Sequence, residues 1–332
     1  MSKRRIYIAA TGAGAGAQAD IWRVPGCSAY FAGACFPYGH DQLEDFLGFA
    51  PERACCEDTS IEMAMMAYYR AWQPGTDAVG VGLSGAVASA KPRKGENRIH
   101  VALMTAEGVR AYHYGYENEH GAKAREWQGR HADSVIKMLL DRGRPLSGEV
   151  TGHALSLFLG RSYWAADGTR HATPPAHRAL YPGAFNPPHQ GHLAIAESVN
   201  AIHWIEATTP HKPPLALAEM VQRAKMLHRR DRLFTSGMPL YLDKSNAFPR
   251  RAIVIGADAF LRMLDPKWGP DPMDLLRKLA DNDTTLKIVG REVNGRWVSA
   301  EEAIAAVPES GVIYNLEPLE GRWDISSSQL RA

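Results

Sequence analysis

Between Tyr181 and Val199 the sequence YPGAFNPPHQGHLAIAESV places a strand exit, a tight turn, two imidazoles and a helix start within one short stretch. Ala179, Leu180 and Tyr181 form an apolar lead-in that ends at Pro182-Gly183, and Leu193, Ile195 and Ala196 then resume at helical spacing. His189, Gln190, Gly191 and His192 therefore sit at a loop-to-helix junction. Such a junction binds anions: the helix start offers unpaired N–H groups and a positive dipole end, Gly191 lets the backbone close on a ligand, and the two imidazoles add donors. No nucleophile stands at the junction, so its chemistry is the positioning and neutralising of phosphates, as in phosphoryl or nucleotidyl transfer. The alternatives are a satisfied surface histidine pair and a metal site. His at i and i+3 could both reach one ion, but no carboxylate or cysteine stands nearby to complete a shell, and no metal ligand is assigned.

The pattern G-x-F-x-P-x-H-x-G-H, carried by Gly183, Phe185, Pro187, His189, Gly191 and His192, resembles the signature of the nucleotidylyltransferase superfamily. A second block, Asp324-Ile325-Ser326-Ser327-Ser328-Gln329-Leu330-Arg331, resembles that family's I-S-S-[ST]-x-x-R motif. Two motifs in the family's order imply a Rossmann-like, doubly wound parallel sheet, with ATP as substrate and Mg²⁺ accompanying it.

The chain has 332 residues, enough for two domains, and its 45% hydrophobic and 22% charged residues are those of a soluble globular protein. A net charge of +2 and a pI near 8.3 are too mild to imply a nucleic-acid partner. Ser2-Lys3-Arg4-Arg5 before Ile6–Ala10 mimics a signal peptide, but the apolar run is short and passes into Gly-Ala repeats, so a strand is expected. No segment approaches the roughly eighteen to twenty apolar residues that span a bilayer. Cys27, Cys35, Cys55 and Cys56 lack zinc spacing and fit buried thiols in a reducing compartment, hence a cytoplasmic protein. The expected partners are small-molecule nucleotides and further copies of the chain, with neither membrane nor nucleic acid.

In the first half, a strand from Arg5 to Ala10, the loop Thr11-Gly12-Ala13-Gly14-Ala15-Gly16 and a helix from Ala17 to Trp22 form either a second anion cradle or a plain Gly-Ala turn. The run from Val24 to Gly33, then Pro37-Tyr38 and Phe46-Leu47-Gly48-Phe49, resembles the C-terminal domain of CinA-like proteins, a family that includes nicotinamide mononucleotide deamidases. The likeness continues through a helix at Ile61–Ala64, strands Ala78–Leu83 and Ile99–Met104 and a helix Ala132–Leu140. It implies an α/β domain over residues 1–145 and a candidate site at Thr11, Gly12, Tyr38 and Ser84. Against the family pattern, its lysine falls at Leu43, and its second loop, Ser84-Gly85-Ala86-Val87-Ala88-Ser89, lacks a glycine and the proline. With the cation gone nothing obvious activates a hydroxyl, so a degenerate domain used for docking or ligand sensing is expected ahead of an active deamidase.

Residues 146–177 are punctuated by Gly, Pro and Thr and are expected to link the first domain to a nucleotidylyltransferase domain at 178–332. There Trp204–Ala207 reads as a strand and Thr208-Thr209-Pro210-His211-Lys212-Pro213-Pro214 resembles the P-P-H-K loop of nicotinate and nicotinamide mononucleotide adenylyltransferases. Lys212 is a phosphate ligand or an exposed loop lysine. A helix is expected at Glu219–His228. The buried strand Arg251–Ile255 ends in Gly256-Ala257-Asp258, followed by Trp268, which either stacks a pyridine ring or anchors a core. Further strands are expected at Leu286–Gly290 and Gly311–Tyr314.

The resemblance implies a catalytic set of His189, His192, Lys212 and Arg331. It implies ATP contacts at Gly183, Ala184, Phe185, Gly191, Gly256, Asp258, Ile325, Ser326, Ser327 and Ser328, and mononucleotide contacts at Asn186 and Trp268. The family's S-Y-T-x-x-T-L segment is replaced by Phe234–Pro239 and an expected polar loop to Arg250, and the final helix has barely one turn before Ala332. The expected activity is transfer of AMP from ATP to nicotinate or nicotinamide mononucleotide with release of pyrophosphate. The alternatives are a pantetheine-phosphate adenylyltransferase, a cytidylyltransferase and a non-catalytic nucleotide sensor.

Overall fold

Five apolar stretches of the first half pair into one mixed sheet in the computed structural model of the chain, which describes residues 3–142, 163–210, 213–265, 271–307 and 314–321. The chain forms two units. In their described parts the first holds residues 3–142, 168–171 and 216–225, and the second holds 163–167, 172–215 and 226–321.

The first unit contains β1 (Lys3–Thr11), α1 (Gly16–Trp22), β2 (Phe31–Cys35), α2 (His40–Leu47), α3 (Glu57–Ala71), β3 (Thr76–Ala86), β4 (Asn97–Thr105), β5 (Gly108–Tyr116) and α4 (Ala122–Arg142). Its sheet runs β2-β1-β3-β4-β5, with β1 parallel to β2 and β3 and the last three strands antiparallel. Alternate residues of β1, β3 and β4, among them Ile6, Ile8, Val81, Leu83, Ile99 and Val101, pack with Ile136 and Leu139 of α4. The second half of the sequence supplies β6 (Tyr163–Trp164), β7 (Arg170–His171), β8 (Ala179–Pro182), α5 (Gln190–Ser198), β9 (Ala201–Glu206) and α6 (Leu217–Met226). Two pieces of it belong to the first unit. Arg170 pairs there with Glu62, both side chains buried, and its guanidinium lies 4.4 Å from the Phe49 ring centroid. In α6, Gln222 donates to the Tyr68 hydroxyl at 2.8 Å and Lys225 sits 4.6 Å over the Tyr69 ring.

The second unit continues with β10 (Arg232–Thr235), α7 (Tyr241–Ala247), β11 (Ala252–Gly256), α8 (Ala257–Met263), α9 (Pro272–Asp281), β12 (Thr285–Val289), β13 (Arg291–Val293), β14 (Arg296–Val298), α10 (Ala300–Ala305) and β15 (Leu316–Leu319). Six parallel strands run β15-β12-β11-β8-β9-β10, and β6 adds antiparallel to β10. Numbered from β8 this is the doubly wound order 3-2-1-4-5-6. The fold class is thus α/β with a Rossmann-like second unit. Ile253, Ile255, Phe260, Leu276, Leu286 and Ile288 fill one cluster, and Leu180, Ile202, Trp204 and Leu233 another.

Two local expectations are corrected. The polar loop before Arg250 contains α7, because Asp243 three residues in accepts the Leu240 N–H at 2.9 Å and closes the first turn. The strand expected to end at Tyr314 is β15, two residues later, after a turn in which Asn315 adopts a φ of 49°; residues 311–313 lie outside the described residues.

Candidate functional site

In a doubly wound sheet, ligands bind beyond the C-terminal strand ends where the winding direction reverses. Here β8 leads to β9 and β10 on one side, and the chain then returns to β11, β12 and β15 on the other. The reversal falls between β8 and β11. The loop Gly183–His189 leaves β8 at this point, and α8 begins directly at the end of β11.

Local packing shapes that loop. Phe185 is fully buried at a φ of 45°, and its ring folds back so far that a Cβ on Gly183 would lie 2.7 Å from it. The Gly183 N–H donates to the Trp204 carbonyl of β9 at 3.0 Å. The two histidines then cap α5 reciprocally. The His192 N–H donates to Nδ1 of His189 at 3.4 Å, and the His189 N–H donates to Nδ1 of His192 at 3.3 Å. Their rings stack at 3.6 Å between centroids. Because each Nδ1 accepts, the proton of each neutral ring is on Nε2. Burial drives the His192 value down to about 3, helped by His189, Arg291 and His203, and burial followed by Arg291 lowers His189. Both rings are therefore neutral N–H donors at neutral pH rather than cations.

Among the described residues a cation at this edge is Arg291, which no sequence motif marks. Its Nη2 donates to the Tyr181 hydroxyl at 3.1 Å, and its side chain passes Gly256 so closely that a Cβ there would lie 3.1 Å from Cγ. Asp258, in the first turn of α8, pairs with Arg262 at 3.3 Å across that helix's outer face. Arg262 in turn lines a cavity of about 470 Å³ with Thr209, Leu240, Tyr241, Leu242 and Lys278. Its size and apolar walls suit a small organic ligand, and it lay beyond the reach of the sequence because α7, α8 and α9 all contribute.

His189, Gly191 and His192 from one element, and Gly256 and Asp258 from another, thus meet at one edge of the sheet. Ala184 and Asn186 lie in the same loop as Gly183. Lys212, Trp268, Ile325, Ser326, Ser327, Ser328 and Arg331 lie outside the described residues. Among the described residues no group of three His, Cys, Asp or Glu side chains could hold a metal ion, and no helix is long and apolar enough to cross a membrane.

The glycine loop of the first unit is built differently. The N–H groups of Gly16 and Ala17 at the start of α1 bond the carboxylate of Asp133 from α4, at 3.1 Å for Ala17. Asp133 lies so close that a Cβ on Gly16 would sit 2.2 Å from its Oδ2. Gly12, at a φ of 78°, faces the Gly85 carbonyl, which a Cβ would meet at 1.9 Å. The expected backbone cradle is filled by the protein's own groups. Thr11 and Ser84 are register partners on β1 and β3, both buried, and the Ser84 hydroxyl donates to the Cys56 carbonyl at 3.0 Å. Tyr38 is 73% exposed, whereas Leu43, where the family has lysine, is 2% exposed and part of the core.

No protein-family model matches this chain. Over 57 residues, 15% of this chain, it is 44% identical to the probable nicotinate-nucleotide adenylyltransferase of Salinibacter ruber (strain DSM 13855 / M31), and the match spans 29% of that relative's length. Among solved structures, the competence/damage inducible protein CihA from Agrobacterium tumefaciens is 22% identical, covering 43% of this chain and 87% of that one at a TM-score of 0.33. The CinA superfamily protein KP700603 from Klebsiella pneumoniae 700603 is 16% identical, covering 42% and 89% at a TM-score of 0.33.

Proposed function

We propose that the second unit is an ATP-dependent adenylyltransferase that joins AMP to the phosphate of nicotinate or nicotinamide mononucleotide and releases pyrophosphate. One observation carries the reading: the motif loop of β8 and the helix start after β11 meet at the reversal point of a doubly wound sheet, where such sheets take nucleotides. The local 44% identity to a protein named as a probable nicotinate-nucleotide adenylyltransferase supports it.

In this reading an oxygen of the mononucleotide phosphate attacks the α-phosphorus of ATP in line. A new P–O bond forms as the bond from the α-phosphorus to the bridging oxygen breaks, and pyrophosphate carries away the electron pair. The N–H groups at the start of α5 and the Nε2–H groups of His189 and His192 donate to the charge that grows on the phosphates. Arg291 supplies the fixed positive charge. Lys212, Ser327 and Arg331 are assigned to the leaving pyrophosphate by their motifs. Asp258 accepts from a ribose hydroxyl, and the cavity past Arg262 receives the acceptor. The described residues do not form a cage for Mg²⁺, so the ion is assigned to the triphosphate as part of the substrate.

The first unit is proposed to be non-hydrolytic, because its cradle is occupied by Asp133 and Leu43 offers no cation. Ammonia released from nicotinamide mononucleotide, and lost in Thr11→Ala, would overturn that part. Pyrophosphate release from ATP or CTP with nicotinate mononucleotide, nicotinamide mononucleotide, pantetheine phosphate or no acceptor tests the main reading. ATP with a pyridine mononucleotide is expected to be fastest. Tight ATP binding without release in any combination would make the protein a sensor.

A further inference from the structure

At the opposite, N-terminal edge of the parallel strands in the second unit, a polar cavity of about 280 Å³ is walled by Arg178, Arg229, Arg230, Glu197, Asp231 and His203. Its two carboxylates are already engaged. Arg178 pairs with Asp231 at 2.9 Å and Arg230 with Glu197 at 2.8 Å, and Asp231 also accepts the Tyr163 hydroxyl at 2.8 Å. Arg229, exposed at the rim, makes neither an ion pair nor a side-chain hydrogen bond among the described residues, so the walls carry one net positive charge. Behind them His203 is 3% exposed, and neither of its ring nitrogens makes a hydrogen bond of regular geometry among the described residues, although the Asp231 backbone lies close enough to act on the ring. Buried imidazole nitrogens are ordinarily hydrogen-bonded, and a neutral ring always has one N–H to give.

We propose that this cavity binds a phosphate-sized oxyanion, held by the guanidinium of Arg229 at the rim and a ring N–H of His203 within. The volume accommodates such an ion with bridging water and is at the low end for a nucleotide. The site is separate from the sheet edge assigned to ATP and does not rest on the transferase reading. Its histidine nevertheless packs toward that edge through the core. The His203 ring lies 5.0 Å from Phe185 and 6.3 Å from Tyr181, the two aromatics that shape the loop from β8.

The test follows the histidine ring signals of the full chain by NMR at pH 7 during titration with inorganic phosphate, with sodium chloride matched for ionic strength as control. His203→Gln assigns the ring in question. Phosphate is expected to move the His203 signal saturably, and Arg229→Gln, a surface change that leaves the core intact, is expected to weaken that response about tenfold, the scale of one charged hydrogen bond. A His203 signal that phosphate leaves unmoved, a shift reproduced by chloride, or an unweakened response in Arg229→Gln overturns the proposal. Phosphate that moves only the His189 and His192 signals overturns it too, while leaving the reading of the ATP edge intact.

Discussion

Two loops in this chain have the same outline, a parallel strand ending in glycine and passing into a helix, yet they differ in what meets the helix start. After β1, the N–H groups of Gly16 and Ala17 are bonded by Asp133, and Gly12 is closed against the Gly85 carbonyl. After β8, the start of α5 is capped by two neutral imidazoles whose Nε2–H groups are left as donors, with Arg291 beside them. A carboxylate in the first loop satisfies the dipole from within the protein; in the second, no carboxylate among the described residues caps the helix start. A glycine-rich turn before a helix is therefore not a phosphate site in itself. The side chain at the helix start decides it.

Breaking the donor set of the second loop has the largest expected effect. His192→Ala removes a donor and half of the reciprocal cap, and should lower the turnover number about a hundredfold while ATP affinity changes far less, since charge grows during the reaction. Steady-state kinetics beside calorimetric ATP binding would show it, and an unchanged turnover number would remove the imidazole from the mechanism. Arg291→Ala should cost roughly tenfold in kcat/KM, with Arg291→Lys restoring part of it through charge alone. Equal losses in the two variants would mean that the contact with Tyr181, rather than the charge, is what matters.

The first loop sharpens the comparison from the other side. Asp133→Ala should destabilise the first unit by about 1 kcal/mol, the scale of a lost helix cap, and leave nucleotidyl transfer unaltered. Urea unfolding and the pyrophosphate assay measure the two parts, and a large loss of transfer would show that the first loop serves the reaction. The smallest effect concerns pH. His192 at about 3 and His203 at about 4 lie below the usual 6.5 through burial. Between those values the unfolded chain binds more protons, so stability is full above pH 6.5 and is lost as pH falls toward 4. The transfer rate should accordingly change by less than about twofold from pH 6.5 to 8, because burial holds His192 at about 3 and lowers His189, leaving the described pair little proton to lose there. A steep fall across that range would require a cationic imidazole.

The strands and helix around Tyr181 to Val199 were legible because apolar spacing and the motif agree over one continuous stretch, and β11 was legible as an uninterrupted apolar run. Arg291 was not, since it reaches Tyr181 from more than a hundred residues away and carries no motif of its own. The same holds for Asp133, which lies in α4 far from the glycine loop it caps. Contact between distant segments also explains α6, whose amphipathic pattern announced a helix but not that Gln222 and Lys225 would pack on tyrosines of the first unit. The segment before Arg250 was misread as polar loop because its charged residues masked a capped turn. Lys244 there is buried, donates to the Met238 and Pro239 carbonyls, and is lowered to about 8 by that burial.

Amide hydrogen exchange with and without ATP tests the contrast between the loops most directly. ATP is expected to slow exchange at the start of α5, from Gly191 to Leu193, and at the start of α8, Ala257 and Asp258, while residues 12–17 exchange as before. Protection that appears at residues 12–17, or ATP binding that leaves the start of α5 unprotected, would contradict the account.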